Sequence, residues 1–488
     1  MKKIYGVSVG MLAMGLAVLG APVSRAQSRM AAGESAGGSE TTSAASTSVA
    51  AAPAASSPVD LDRRIEALEA ELSELKTEMA AKKDAETSAA STVAMTPAVP
   101  AQDAKAPEKI SVASLLGPTS VSGFVDAYYQ ANFNHPSGKF TSLRSFDFRD
   151  KAINLNMAEL TLDKAPSSDS AVGRTGYRVA LGFGDAMTAI DATEQGLASG
   201  FGKNAPGYDQ YLKEAYFSYL APLGKGLQID VGKFVTPMGA EVIESKDNWN
   251  YSRSILFSYA IPYFHFGARA KYVFNDKYNV TGMVVNGWNN VADNNSGKTY
   301  HLSFNGNPTK AISFYVNYMA GPEFPTGFFG SNSSGTLVNV NDIWRQTWDA
   351  TIIYTRGKLS LMANFDYGRG DRTSFDNESD TFSPVVYWTG GAGYAKYTFD
   401  DKDYVAARYE YYDDHDGYTT GAIAHTHFNE VTATYQRTIA SYLLARFEYR
   451  RDMSSSPYFP LSNFSTPTNY QNTASMGLIF LFDSRNAK

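Results

Sequence analysis

The sequence predicts an all-β fold: a transmembrane antiparallel β-barrel of about sixteen strands, preceded by a short coiled-coil helix. Three observations predict it. From residue 119 to 482 the chain alternates apolar and polar residues in stretches of about ten, the connections between stretches are alternately short and long, and both ends lie on the short-connection side. This combination is typical of barrels that cross a membrane, because successive residues face lipid and lumen in turn.

The strands follow from the alternation. In the first stretch Val121 and Val125 alternate with Asp126 and Gln130, which gives one apolar and one polar face. The last stretch, near residues 475–482, repeats the pattern. Fourteen further candidates lie near residues 151–163, 175–185, 211–221, 226–236, 264–274, 277–287, 299–306, 310–320, 344–355, 358–368, 386–399, 402–413, 427–437 and 440–451.

The lengths of the connections predict the orientation of the barrel in the membrane. Those after strands two, four, six, eight, ten, twelve and fourteen are short or rich in turn-forming residues. The others, such as residues 238–262 and 321–343, are mostly longer and polar or rich in Gly. Bacterial barrels have short periplasmic turns and long extracellular loops, so both termini are predicted to be periplasmic. Slips of the alternation near Ala158 and Lys233 indicate β-bulges.

Composition agrees with this class. The 488 residues have a slightly negative mean hydropathy of -0.28, and no apolar run of about twenty residues follows the N-terminal one. The 31 Tyr and 28 Phe suit the aromatic girdles of a membrane barrel, although they would also fill a soluble β core. Zero Cys excludes disulfides, thiolate metal sites and a Cys nucleophile. The mild net charge of -6 gives no case for nucleic acid as a partner.

Residues 1–26 are predicted to be a signal peptide, with Lys2 and Lys3, an apolar core and a small-x-small site that ends at Ala26. A membrane anchor is the alternative, but the apolar run is too short to span. Residues 27–59 are dominated by Ala, Ser, Thr and Gly and are predicted to be a low-complexity linker.

A helix is predicted over residues 60–83. Its apolar residues recur at steps of three and four from Leu61 to Met79, which places one apolar seam along a helix. The seam would join chains in a coiled coil, or it would lie as a single amphipathic helix on another surface. A disordered linker, residues 84–118, leads to the barrel region at residues 119–482, and residues 483–488 form a C-terminal tail.

Part of the barrel carries recognisable motifs: LKEAYFSYLAP at residues 212–222, DVGKFVTPMGAE at 230–241, NYSRS at 250–254 and IPYFHFG at 261–267. They resemble the OmpL-like group of outer-membrane β-barrel porins of Gram-negative bacteria. The resemblance covers about residues 119–482 and implies a diffusion channel in the outer membrane. A leader, a coiled coil and a large barrel in this order are also similar to the phosphate-selective porins, whose barrels trimerise.

The C-terminal strand SMGLIFLF, residues 475–482, is similar to the signal that the outer-membrane assembly machinery reads. It departs from that signal by the six extra residues 483–488. The resemblances together imply outer-membrane lipid, the assembly machinery and a homotrimer as partners, small hydrophilic solutes as cargo, and no cofactor.

A barrel of sixteen strands leaves an aqueous channel, so water and small solutes should pass. Counted on the polar face, six positive charges against eight negative ones predict weak ion preference, unless the charges segregate to opposite walls. The alternative is that they pair across strands as wall struts. The candidate pore-lining residues are Arg178, Glu214, Arg269, Lys271, Asp366, Arg408, Glu410, Glu430, Arg446, Glu448 and Arg450.

The third long loop, residues 238–262, is the candidate constriction, because in porin-like barrels this loop often folds inward. Charges at a narrowing set selectivity more strongly than charges on a wide wall. The alternative is a solvated surface loop. The candidate constriction residues are Glu241, Glu244, Lys246, Asp247 and Arg253.

We expect no catalytic, cofactor or metal site. His425 and His427 stand near the acidic run at residues 413–416, but spacing alone defines no ligand set, and a hydrated acidic loop explains them as well. No Ser-His-Asp pattern is recognisable. The leading hypothesis is a porin with weak or moderate selectivity. A structural or adhesive outer-membrane barrel, tethered through its N-terminal helix, is the alternative, and a barrel enzyme such as a lipase is a distant third.

Overall fold

The computed structural model contains sixteen antiparallel strands in one closed barrel, in which each strand pairs with its neighbours in sequence and the first pairs with the last. The predicted fold class and strand count are confirmed. The predicted signal peptide, linkers and helix lie outside the described part of the chain. The structure describes residues 117–170, 172–193, 209–323, 341, 344–372, 383–422, 425–462 and 467–486.

Strand bounds lie within a few residues of the stretches that the alternation predicts. No helix among the described residues is long and apolar enough to cross a membrane. The strands are β1 Ser120–Asn132, β2 Ile153–Lys164, β3 Thr175–Phe183, β4 Leu212–Ala221, β5 Leu227–Val235, β6 Phe264–Val273, β7 Tyr278–Val285, β8 Thr299–Thr309, β9 Ile312–Pro322, β10 Trp344–Arg356, β11 Leu359–Arg372, β12 Ser383–Thr398, β13 Asp403–Asp414, β14 Thr426–Ala440, β15 Leu443–Ser454 and β16 Tyr470–Asp483.

The two faces of the barrel wall differ as predicted. On β1 the side chain of Val125 is 43% exposed, whereas that of its neighbour Asp126 is fully buried inside the barrel. Val125 pairs with Phe480 of β16, which is also exposed. The outer face is therefore a continuous apolar surface, suited to lipid, even across the seam where the barrel closes.

The connections alternate in length. Those after even-numbered strands have between two and ten residues, and those after odd-numbered strands have between ten and 28. The longest are the connection between β3 and β4, which contains the helix α1 (Asp185–Ala192), and the connection between β5 and β6. We call the latter, residues 236–263, L3. The side of the barrel with the short connections is the short-turn side, and the other is the loop side.

One predicted bulge is present and the other is displaced. On β2, Asp126 pairs with Met157 and Ala127 with Leu155, so the residue between them is extra, close to the slip near Ala158. The register of β5 is regular through Lys233. The second extra residue instead lies on β4, the strand beside it.

The apparent slip near Lys233 has an electrostatic cause. Lys233 shares the outward phase of β5 with Val231, yet it is a charged side chain. Its Nζ lies 3.1 Å from a carboxylate oxygen of Asp209 and 4.4 Å from the ring centroid of Phe264, and the side chain is buried. A paired charge therefore occupies a position where the alternation expects an apolar residue.

The buried core lies inside the barrel. The ring of Phe146, from the first long loop, packs against Phe257 and Tyr263 with ring centroids 5.9 and 5.5 Å apart. Trp288, from the connection between β7 and β8, meets Trp388 of β12 edge to face at 6.3 Å. Loop residues thus pack on one another and on the wall, and they occupy the loop-side half of the lumen.

Candidate functional site

L3 crosses the interior of the barrel. At one end Glu244 forms an ion pair with Lys213 of β4. At the other end the carbonyl of Ala260 accepts a hydrogen bond from Trp388 Nε1 of β12 at 3.1 Å. These two strands are eight apart in the closed order of sixteen, so they face each other across the lumen. L3 therefore lies across the lumen between opposite walls.

The inner wall of β13, β14 and β15 carries charges in two rows. Glu410, Glu430 and Asp452 pair in register across the three strands, and Arg408 and Arg450 stand in the next row. Arg408 contacts Glu430 at 2.6 Å, and Arg450 contacts Asp452 at 2.6 Å and Glu430 at 3.6 Å. All five side chains are buried. Neighbouring rows of opposite charge thus pair across the strands.

The acidic residues of this wall bind the backbone of L3. Glu410 accepts hydrogen bonds from the N–H groups of Ile255 and Leu256 at 2.7 and 3.1 Å. Glu448 accepts from the N–H of Tyr251 at 2.6 Å. A loop that crosses a barrel has no neighbouring strand to accept its amide hydrogens, and a buried donor without an acceptor is costly. The wall carboxylates supply those acceptors.

The arginines of the wall bind the carbonyls of the same loop. Arg446 donates to the carbonyl oxygens of Ser245 at 2.5 Å and Asn248 at 2.8 Å. Arg450 donates to the carbonyl of Arg253 at 2.6 Å. A guanidinium offers five donors in a fixed plane, so one arginine can satisfy several carbonyls of an irregular segment. L3 is therefore held through its backbone as well as through its side chains.

Two of the five predicted constriction residues are buried inside this assembly. Glu241 accepts a hydrogen bond from Arg408 at 2.7 Å. Arg253 is buried with its guanidinium 4.7 Å from the ring centroid of Phe146, and it donates to the carbonyl of Tyr251 at 2.8 Å. Burial lowers the pKa of Arg253 from its usual value. These two residues hold the loop in place.

The other three predicted constriction residues lie beside open space. Glu244, Lys246 and Asp247 line a cavity of about 990 Å³, which we call the short-turn cavity. The same cavity is lined by Ser122 at the start of β1 and by Asp483 at the end of β16, so it lies at the short-turn side. Lys246 and Asp247 form an ion pair at 2.5 Å, and the Asp247 side chain is 53% exposed.

The predicted pore-lining residues separate into two groups. Arg178, Arg269 and Lys271, on β3 and β6, keep part of their surface exposed. The other eight are buried, which means that inward direction on a strand does not by itself give contact with an open lumen. The buried eight are Glu214, Asp366, Arg408, Glu410, Glu430, Arg446, Glu448 and Arg450.

The sequence of residues 118–482 matches the family model described as "Putative beta-barrel porin-2, OmpL-like". The chain belongs to this family. Family membership and the closed barrel support a porin channel in the outer membrane. No curated protein matched the sequence.

Several solved barrels are similar to this OmpL-like chain. A loop L8 deletion mutant of OmpT, an outer membrane protein of Vibrio cholerae, is 14% identical, with 75% of this chain and 99% of that chain covered and a TM-score of 0.47. The anion-selective porin from Comamonas acidovorans is 11% identical, with 75% and 99% covered and a TM-score of 0.47. The outer membrane channel DcaP of Acinetobacter baumannii is 10% identical, with 75% and 97% covered and a TM-score of 0.47.

The alternation misses one residue that anchors L3 in this OmpL-like barrel. Lys213 is the extra residue of the bulge on β4, and it contacts both Glu159 of β2 and Glu244 of L3. Strict alternation places Lys213 on the opposite face from Glu214. The bulge turns both side chains inward, and the spacing of residues on β4 gives no sign of it.

The first long loop also enters the lumen, which the sequence does not signal. Arg144 donates to Asp147 at 3.0 Å and to Thr473 of β16 at 2.6 Å, and it lies 3.8 Å from a carboxylate oxygen of Asp452. Burial raises the pKa of Asp147. The ionic contacts of the β13–β15 wall thus continue through a second loop.

The histidines of the loop side form a surface cluster. His425 Nε2 lies 2.8 Å from a carboxylate oxygen of Asp413, and the ring centroids of His415 and His425 are 4.4 Å apart. Within the described ranges, no group of three or more His, Cys, Asp and Glu side chains is arranged to hold a metal ion. The cluster is a set of exposed contacts between histidine rings and carboxylates.

Proposed function

We propose that this protein is an outer-membrane porin that forms a water-filled diffusion channel for small hydrophilic solutes, with weak or moderate selectivity. The observation that carries the proposal is the closed barrel of sixteen strands, apolar outside and lined by charged and polar side chains inside. Barrels of this size enclose more space than the side chains of their strands fill. The short-turn cavity is a part of that space that L3 borders.

L3 supplies the proposed constriction. Its Glu244, Lys246 and Asp247 border the short-turn cavity, whereas Glu241 and Arg253 are buried and position the loop. Charges beside a narrow passage act on a solute at short range, where their field is least screened. We therefore assign selectivity at L3 to the first three residues and loop placement to the other two.

The orientation in the membrane follows from the loops. We propose that the short-turn side, both termini and the helix predicted at residues 60–83 are periplasmic, because periplasmic turns are the short ones in bacterial barrels. The apolar outer face contacts lipid, and the strand at residues 475–482 is read by the assembly machinery. The apolar spacing from Leu61 to Met79, which predicts a coiled coil, supports a homotrimer.

The test is the conductance of the purified full-length protein in a planar lipid bilayer. We expect stepwise, long-lived conductance increases, together with swelling of proteoliposomes in small sugars. Protein unfolded before addition serves as the control. Absence of any step from a preparation that is shown to be folded would overturn the proposal.

A second candidate function has its own supporting observation. The loop-side half of the lumen is filled by packed side chains of L3, the first long loop and the wall, such as Phe146, Phe257 and Trp388. A filled barrel suits a structural or adhesive protein that is tethered through its N-terminal helix. A folded but silent barrel would favour this second function.

A further inference from the structure

The predicted pore-lining residues that remain exposed share one sign of charge. The exposed members of the predicted pore-lining set, Arg178, Arg269 and Lys271, are all cations, although that set as a whole contains both signs. They stand on β3 and β6, well away from the arginines that bind L3 on β13–β15. Arg178 and Arg269 each contact a carboxylate that is itself buried, and the register partners of Lys271 are uncharged.

Arg269 illustrates this arrangement. Its Nε donates to Asp230 at 2.7 Å, and the other carboxylate oxygen of Asp230 accepts from Ser218 at 2.6 Å and Gln228 at 2.9 Å. The Asp230 side chain is 3% exposed, whereas that of Arg269 is 20% exposed. The guanidinium lies 4.9 Å from the ring centroid of Tyr216. A buried carboxylate, both of whose oxygens accept hydrogen bonds, therefore lies behind a guanidinium that faces the lumen.

Arg178 repeats the arrangement on β3. Its Nε donates to Glu214 at 2.6 Å, and the exposed fractions of the two side chains are 29% and 6%. Its Nη1 is 3.4 Å from Asp163, which is itself partly exposed. Glu244, Asp247 and Asp483 are further acidic residues beside Arg178, in the short-turn cavity. Arg178 also lines the short-turn cavity.

Lys271 is the least constrained of the three. It lies two residues along β6 from Arg269, so it shares the same inner face at a distance of about 7 Å along the strand. Its register partners are Gln228 and Thr281, neither of which is charged. Lys271 is exposed and has no hydrogen bond or ion pair with another described residue.

We propose that Arg178, Arg269 and Lys271 form a cationic path along the β3–β6 wall, and that this path makes the channel prefer small anions, carboxylates in particular, over cations. The proposal rests on the proposed channel function and deepens it. A guanidinium edge matches a carboxylate through two parallel hydrogen bonds, and a lysine supplies a mobile positive charge beside it. Buried carboxylates behind the cations weaken their field without blocking contact.

The test compares reversal potentials of single channels under a tenfold gradient of KCl and then of potassium acetate. We expect the wild type to be anion-preferring in both salts. Lys271→Gln should lower the ratio of anion to cation permeability by up to about 30-fold, since one unit charge about 4 Å away in water favours an anion about fivefold and disfavours a cation about fivefold. Arg269→Lys keeps the charge and should retain most of the preference.

The matched control is Lys277→Gln. Lys277 is exposed in the turn that follows β6, outside the lumen, and its loss should leave the permeability ratio unchanged. A cation-preferring wild type, or an unchanged ratio in Lys271→Gln, would overturn the cationic path while leaving the channel in place. Absence of conductance in the wild type would instead overturn the channel function itself, and the path with it.

Discussion

Arginine–carboxylate ion pairs have different roles on two walls of this barrel. On β13–β15, Arg408 pairs with Glu430 at 2.6 Å and both side chains are fully buried under L3. On β5 and β6, Arg269 pairs with Asp230 at 2.7 Å, but one-fifth of the arginine side chain stays exposed. The difference lies in what covers the pair. A covered arginine organises a loop, and an uncovered one presents charge to the lumen.

The covered wall should be the more sensitive to loss of a single charge. Arg408→Ala leaves Glu241 and Glu430 buried without their main partner, and we expect about 3–5 kcal/mol of lost stability. Urea unfolding of the refolded barrel in detergent measures it.

The control for that substitution is Arg437→Ala. Arg437 pairs with Asp403 at 3.3 Å, and its side chain is 55% exposed, so its loss should change the free energy of unfolding by about 0–1 kcal/mol. Equal effects of the two substitutions would remove the distinction between covered and exposed pairs.

A milder change at the covered wall should loosen L3 without unfolding the barrel. Glu448→Gln replaces a charged acceptor of the Tyr251 and Ser252 amides with a neutral one, which weakens L3 anchoring by about 1–2 kcal/mol. Hydrogen exchange at these two amides should accelerate about tenfold. Asp403→Asn, at the short-turn end of β13, is the control and should leave L3 exchange as it is. Unchanged exchange in Glu448→Gln would mean that the wall carboxylate does not hold the loop.

The open wall should respond to salt. Raising KCl from 0.1 to 1 M shortens the screening length from about 10 to about 3 Å, so the anion preference that we assign to Lys271 should fall toward unity. Reversal potentials at constant gradient ratio measure this. Lys271→Gln, which starts nearer unity, should change less. If the anion preference did not vary with salt, it would originate from buried charges, which salt screens much less, and not from Lys271.

Alternation predicted the barrel because the rule is local. Each inward or outward direction depends only on a residue's place in its strand, so Val125 and Asp126 reveal their faces without knowledge of the other strands. The alternating lengths of the connections placed both termini on the short-turn side in the same way. Both properties survive in the structure across sixteen strands.

Such a local rule could not predict whether an inward-facing charge is covered by a loop or exposed to the lumen. Arg408 and Arg269 have the same phase on their strands, and only the route of L3 decides which of them is covered. That route depends on contacts between residues more than 150 positions apart, such as Ile255 and Glu410. Lys213 adds a second reason, since one extra residue on β4 reverses its direction.

The seam between β1 and β16 has a consequence for how this protein is made. Val125 pairs with Phe480 within this seam. The register runs from the pair Ser122 and Asp483 to the pair Asn132 and Thr473, so it covers nearly the whole length of β1. Until the last strand is available, β1 keeps an unpaired edge that can bond to another chain. Closure is thus the most non-local step of folding, and such steps are slow. A chain truncated before Tyr470 would retain fifteen strands and two open edges, and we expect it to aggregate rather than to form a smaller pore.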